Sequence, residues 1–142
     1  MLLFAVYKQG RRDNSLAANF RSTALQDLPE TLTALKVLAT LLIDNNEFKN
    51  LPSVVCNITT LAELSVTNNQ LKSLSEDIGH LQRLQTVRLQ GNPELTHLPL
   101  SFGRMRNLKF LEFDPATVVS PGGFIVCCNF TVDVMHARML VV

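Results

Sequence analysis

Apolar residues return at a fixed interval through the middle of this chain: aligning it on Leu38, Leu61, Leu84 and Leu108 gives steps of 23, 23 and 24 residues. The first unit places apolar side chains at Leu38, Leu41, Ile43, Phe48, Leu51, Val55 and Ile58, with Asn46 before Phe48 and Pro52 after Leu51. The second runs Leu61, Leu64, Val66, Asn69, Leu71, Leu74 and Ile78, and the third Leu84, Val87, Leu89, Asn92, Leu95, Leu98, Pro99, Phe102 and Met105. One extra residue in Gly91-Asn92-Pro93-Glu94-Leu95 accounts for the longer step. A period of this length marks supersecondary units that stack because none buries its apolar face alone.

The spacing within a unit predicts its elements. Apolar positions separated by one residue, as in Leu41 and Ile43 or Leu64 and Val66, send both side chains to one face of a short strand and their neighbours to the other. The following asparagine stands where the chain leaves the strand, and its amide can bond backbone groups that would otherwise go unpaired. Asn46, Asn69 and Asn92 are therefore expected to stack as a buried structural ladder. The Leu-Pro step and the next Ile or Val return the chain along the opposite side in extended or short helical turns.

Two partial units flank the three complete ones. The upstream unit has Phe20, Leu25, Leu28, Pro29, Leu32 and Leu35, with Thr23 at the asparagine position; the downstream one has Leu108, Leu111 and Phe113, with Ala116 there. The pattern ends at Pro121-Gly122-Gly123. Residues 15–116 thus read as a solenoid and 1–14 as an N-terminal segment, in which Met1 to Tyr7 adds a capping strand and Lys8 to Asn14 a solvated turn. Residues 117–142 form a non-repeat tail. It alternates in part, at Phe130, Val132 and Val134, but reads as foreign to the fold and prone to aggregate.

Leu61-x-x-Leu64-x-Val66-x-x-Asn69-x-Leu71 resembles the leucine-rich repeat, L-x-x-L-x-L-x-x-N-x-L, and several copies in phase make the match specific. Segments such as Leu74-Ser75-Glu76-Asp77-Ile78-Gly79-His80-Leu81 resemble the intracellular class of these repeats. That class includes the plant intracellular Ras-group-related proteins and scaffolds for Ras-pathway and cell-polarity partners. Thr23, Ala116 and Ser75, which replaces Pro, depart from the pattern. The resemblance implies an α/β repeat solenoid: a short arc with a parallel concave sheet and loops, 3-10 turns or short helices on the convex side.

The outward strand positions are the expected partner-binding surface. They are Thr40, Leu42 and Asp44, then Glu63, Ser65 and Thr67, then Thr86, Arg88 and Gln90, and lastly Phe110 and Glu112. Read across the sheet, Leu42, Ser65, Arg88 and Glu112 mix an apolar group, a hydroxyl and both charge signs, which suits protein recognition better than a phosphate backbone. Leu42 and Phe110 are expected to face solvent, either as anchors for a partner or as residues that touch the tail or are simply exposed. Arg88 either meets an acidic partner group or stands as a rim charge of little effect.

Composition removes other classes. Thirteen Lys plus Arg against 12 Asp plus Glu leave a net charge of +1, so no overall field draws the chain to nucleic acid or an anionic membrane. Phe124 to Val142 is interrupted by Asn129, Asp133, His136 and Arg138 and does not make a spanning segment. Cys56, Cys127 and Cys128 are odd in number and two are adjacent, which fits a reducing compartment better than a disulfide framework. Met1 to Tyr7 lacks the basic leading segment of a secretory signal. His80, His97 and His136 occur singly, without ligand spacing, and imply neither a metal nor a cofactor. Cys127-Cys128 with His136 has no accompanying nucleophile motif. Asn57-Ile58-Thr59 and Asn129-Phe130-Thr131 match glycosylation acceptors that matter only in a secreted chain.

These readings converge on a noncatalytic, cytoplasmic protein-interaction module, a scaffold or adaptor in signalling, monomeric or part of a longer chain. One alternative is the recognition or regulatory arm of a larger enzyme, such as a cyclase, kinase or ubiquitin ligase. Another is a secreted or receptor recognition fragment.

Overall fold

The computed structural model describes residues 6–8, 15–114, 130–133 and 138–141. Five short strands, β2 (Leu16–Asn19), β3 (Leu38–Leu42), β4 (Glu63–Ser65), β5 (Thr86–Arg88) and β6 (Phe110–Glu112), pair in parallel and in chain order. The register follows the repeat: Thr40 lies beside Glu63, Glu63 beside Thr86, and Thr86 beside Phe110. Behind the sheet, each return segment makes one tight turn. Three are 3-10 helices, Glu30–Ala34, Glu76–His80 and Leu100–Arg104, and the fourth is a single α-helical turn, Ser53–Cys56.

The same atoms recur at every rung. Leu38, Leu61, Leu84 and Leu108 are buried, as are the paired strand positions Leu41 and Ile43, Leu64 and Val66, Val87 and Leu89, and Leu111 and Phe113. At the start of each return turn the carbonyl of Pro29, Pro52, Ser75 or Pro99 accepts from the amide of Leu32, Val55, Ile78 or Phe102, at 3.0–3.3 Å. Proline suits this position because its ring presets φ near the −71°, −55° and −64° found there. Ser75 breaks the proline pattern yet does the same work. Its hydroxyl accepts from the Asp77 amide at 3.1 Å and caps the turn.

The asparagines bind each rung to the one before it. Asn69 Oδ1 accepts from the Phe48 amide at 3.1 Å, and its Nδ2 donates to Ile43 O at 3.0 Å and Thr67 O at 3.1 Å. Asn92 repeats this with Leu71 N and Val66 O, and Asn46 with Leu25 N and Phe20 O. Thr23 stands in phase with them, and its hydroxyl lies 2.7 Å from Phe20 O. A threonine stands there in the rung whose other paired strand, among the described residues, is antiparallel rather than a further repeat.

The residue before each ladder position takes a left-handed conformation: Ser22 at φ 55°, Asn45 at 56°, Asn68 at 53° and Gly91 at 71°. This turn aims the following amide back across the rung boundary. Gly91 is required for a second reason, since a Cβ there would fall 2.1 Å from Asn68 Oδ1 and 3.0 Å from Asn68 Cα. The in-phase position of the next unit is Pro115, whose ring excludes positive φ.

Antiparallel strands extend the sheet at both ends, in place of further repeats. β1 (Val6–Lys8) pairs with β2, and Lys8, expected in a turn, belongs to this strand. Beyond β6 come β8 (Arg138–Val141) and then β7 (Phe130–Asp133). The tail expected to be foreign to the fold thus supplies two strands, and main-chain pairing explains how a sequence without repeat character joins a repeat sheet: it asks for exposed N–H and C=O groups, not for leucines. The strand of the upstream unit also lies earlier than its larger apolar residues suggest. Ala18 fills the core position, and its small side chain weakens the pattern.

Two outcomes test the ladder. Asn69→Ala leaves the Phe48 amide unpaired and is expected to cost about 1–3 kcal/mol in urea unfolding. Asn69→Thr is expected to recover little of that loss, because the short side chain stays within its own rung.

Candidate functional site

The outward strand residues form lateral columns, each passing from one rung to the next. Thr40, Glu63, Thr86 and Phe110 make one, and Leu42, Ser65, Arg88 and Glu112 another. Asp44, Thr67, Gln90 and Asp114 extend the face where the chain leaves the strands, in the same phase. The columns open progressively along the solenoid. Thr40, Leu42, Asp44 and Ser65 are buried, Glu63, Thr67, Thr86, Arg88, Gln90 and Glu112 are half-buried, and Phe110 is 44% exposed.

Leu42 corrects an expectation. With 8% exposure it is part of the structure rather than a solvent-facing anchor. Its lateral neighbours are Asn19 and Ser65, and Thr40 and Asp44 flank it on the same face of β3. Phe110, on the last parallel strand, is the apolar member of these columns that remains accessible.

Most of the polar groups on this face are engaged with one another. Asp44 Oδ1 accepts from Ser65 Oγ at 2.5 Å, Thr67 N at 2.8 Å and Thr67 Oγ1 at 2.9 Å, while Oδ2 accepts from Arg21 Nε at 2.5 Å. Burial alone would raise the Asp44 pKa; bonds from Ser65, the Thr67 amide, Arg21 and the Thr67 hydroxyl outweigh it and hold the carboxyl below its ordinary value. Arg88 is clamped between acids of both adjacent strands, bonding Glu63 through Nη1 and lying 3.4 Å from Glu112 Oε2 through Nε. Its charge is thus met within the sheet. Arg21 was not singled out from the sequence, although it stands 23 residues before Asp44, one rung upstream. The weak upstream strand hid that relation.

At the strand starts, small Ala39 and Ala62 leave a trough of about 300 Å³, bordered by Ser15, Thr40, Glu63, Gln85 and Thr86. It adjoins the Phe110 column and widens the accessible part of the face. A second groove, of about 420 Å³, lies on the flank among Gln26, Asp27, Glu47, Lys49, Asn50, Leu51, Pro52 and Ser53.

The described residues include no group of three or more His, Cys, Asp or Glu side chains placed to hold a metal. The Cys56 thiol is buried, and desolvation together with the charge of Asp77 pushes its pKa up to about 11, which suppresses the thiolate a nucleophile needs. Cys127, Cys128 and His136 lie outside the described residues, as does Asn129. Among the described residues, no helix is long and apolar enough to cross a membrane.

A stack of parallel strands, buried asparagines and alternating return turns defines the leucine-rich-repeat fold. No family model matches the chain, and no curated protein matches it. Solved structures do. A leucine-rich-repeat protein of Leptospira interrogans is 35% identical over 68% of this chain, with a TM-score of 0.60. The plant peptide hormone receptor RGFR1, solved in complex with RGF2, is 34% identical over 58% of the chain, with a TM-score of 0.52. The BIR2 ectodomain of Arabidopsis thaliana shares the fold at 20% identity over 74%, with a TM-score of 0.55. The chain spans 24% of the Leptospira protein, 14% of the RGFR1 chain and 57% of the BIR2 chain.

The Asp44 cluster carries a pH signature. A carboxyl whose pKa is lower in the folded than the unfolded state stabilises the fold above its unfolded value, near 3.8, and loses that contribution as pH falls through the depressed value. Thermal melts should therefore drop steeply below that pH, and Asp44→Asn should flatten the drop while lowering the melting temperature at neutral pH.

Proposed function

We propose that this chain is a noncatalytic protein-interaction module that serves as a scaffold or adaptor in cytoplasmic signalling and holds its partner on the strand face. The observation that carries this reading is the face itself: five parallel strands in register that end on an exposed aromatic, Phe110, beside half-buried polar groups on Thr86, Gln90 and Glu112. An aromatic that has already lost part of its hydration, set among polar groups held in place, offers a partner contact area at small entropic cost.

The protein complexes of its structural neighbours support the same use of the fold. RGFR1 was solved with RGF2, and another neighbour is the BIR3–SERK2 complex, 20% identical to this chain. The internal pairing of Arg88 and Asp44 gives these groups a positioning role in the reading: they keep the columns rigid, and contact falls to the accessible residues around Phe110. The resemblance of the return turns to the intracellular class supports the cytoplasmic, Ras-type scaffold assignment.

The test is affinity capture from source-cell lysate with the full chain and with Phe110→Ala, after circular dichroism has established that both are folded. Truncating a central aromatic anchor typically costs upward of about 2 kcal/mol of binding, so retained proteins should fall by more than about tenfold with the variant. A folded variant that holds the same proteins as strongly would remove the strand face from the reading.

A further inference from the structure

Two sets of cations among the described residues differ in how they are met. On the strand face Arg21 is paired with Asp44, and Arg88 with Glu63 and Glu112. On the rim where the return turns lead into β5 and β6, Arg83, Arg104, Arg106 and Lys109 are exposed, and none belongs to an ion pair among the described residues.

The repeat makes these groups neighbours. Asn107 Nδ2 donates to Gln82 O at 2.7 Å, and the amides of Lys109 and Phe110 donate to Gln85 O at 2.8 and 3.0 Å. Residues 82–85 and 106–109 therefore lie side by side, about one strand spacing of 4.8 Å apart. Arg104 ends the return turn that stacks on the one ending at His80. Four like charges are gathered on the margin of two rungs, where their mutual repulsion is unfavourable. Lys109 Nζ meets only the Gln85 amide oxygen, at 3.3 Å. Arg104 acts electrostatically on Glu76, whose carboxylate is already held by the Leu100 and Ser101 amides at 2.9 and 2.8 Å.

We propose that this rim docks a short acidic segment of a protein, rich in Asp and Glu, as a surface separate from the strand face. The commitment to a peptide rests on charge complementarity and on what surrounds the patch. Glu76 and Asp77 open the return turn that leads into this rim, so a long polyanion that overran the two rungs would meet carboxylates there. The residues interleaved with the cations are the amides Gln82, Gln85 and Asn107, which hydrogen-bond to carboxylates, rather than aromatics on which bases stack. This site goes beyond the strand-face reading and shares no residue with its test, so Phe110→Ala leaves it intact.

The experiment is fluorescence anisotropy with the full chain and a fluorescein-labelled peptide of glutamates around a single leucine. Parallel samples use the lysine version of that peptide, duplex DNA and phosphatidylserine vesicles. The glutamate peptide should bind, and rising sodium chloride should weaken it as expected for solvent-exposed charges. Arg83→Glu with Arg106→Glu should lower its affinity about tenfold or more, while Lys36→Glu, an exposed cation on the same rim two rungs away, should change it by less than about twofold. If circular dichroism shows the double reversal unfolded, Arg83→Gln with Arg106→Gln takes its place and must still weaken binding and reduce its salt dependence. Absent binding of the glutamate peptide, unchanged affinity in the folded rim variant, or preference for DNA or vesicles would each overturn the proposal.

Discussion

The structure depends on one constraint: the main-chain groups freed at the end of each strand must be paired, and the rung itself cannot pair them. The asparagine amide meets it by reaching across the boundary, as Asn69 does to Phe48 N and Ile43 O. Its energetic weight lies less in the bond made than in the unpaired, buried peptide groups it prevents. Because each asparagine serves the preceding unit, a rung is complete only when its successor is in place. That dependence is the local form of nearest-neighbour stability in a solenoid.

The left-handed residue before each ladder position is the geometric partner of that constraint. Asn45 and Asn68 tolerate the conformation and also bond each other, Nδ2 of Asn68 to Oδ1 of Asn45 at 2.9 Å, whereas Gly91 occupies a place no Cβ can enter. The parallel block runs from β2 to β6. A sheet so ended still presents an open edge. Antiparallel pairing at β1 and at β8 and β7 covers the edges of the parallel block through main-chain bonds.

On the outward face, internal pairing and availability divide the residues between structure and recognition. Asp44 and Arg88 look alike in sequence to groups awaiting a partner, yet each is satisfied by neighbours one rung away. What remains accessible is shifted toward the last parallel strand, where Phe110 and the trough beside Thr86 lie. The unpaired cations of the rim lie apart from this region. Two surfaces of different chemistry thus sit on the same few rungs, one apolar and polar, the other basic.

The period, the inward leucines, the strand positions and the asparagine ladder were legible in the sequence, because each is a short-range pattern that the backbone translates directly into a face or a turn. The prolines of the return turns were legible for the same reason, while Ser75 needed its capping bond to be understood. Three things were decided only in three dimensions. Ala18 became a core residue because its strand pairs with β3, where its register partner is Leu41, and a methyl group leaves little trace in a hydrophobic pattern. Leu42, Asp44 and Arg88 changed from surface residues into buried or paired ones, because lateral contact joins positions 21 to 25 residues apart, which alternation along one strand cannot reveal. The end strands joined the sheet through backbone pairing, which carries no side-chain signature. Sequence patterning therefore determined the rung, and the stacking of rungs decided which of its outward groups are left for a partner.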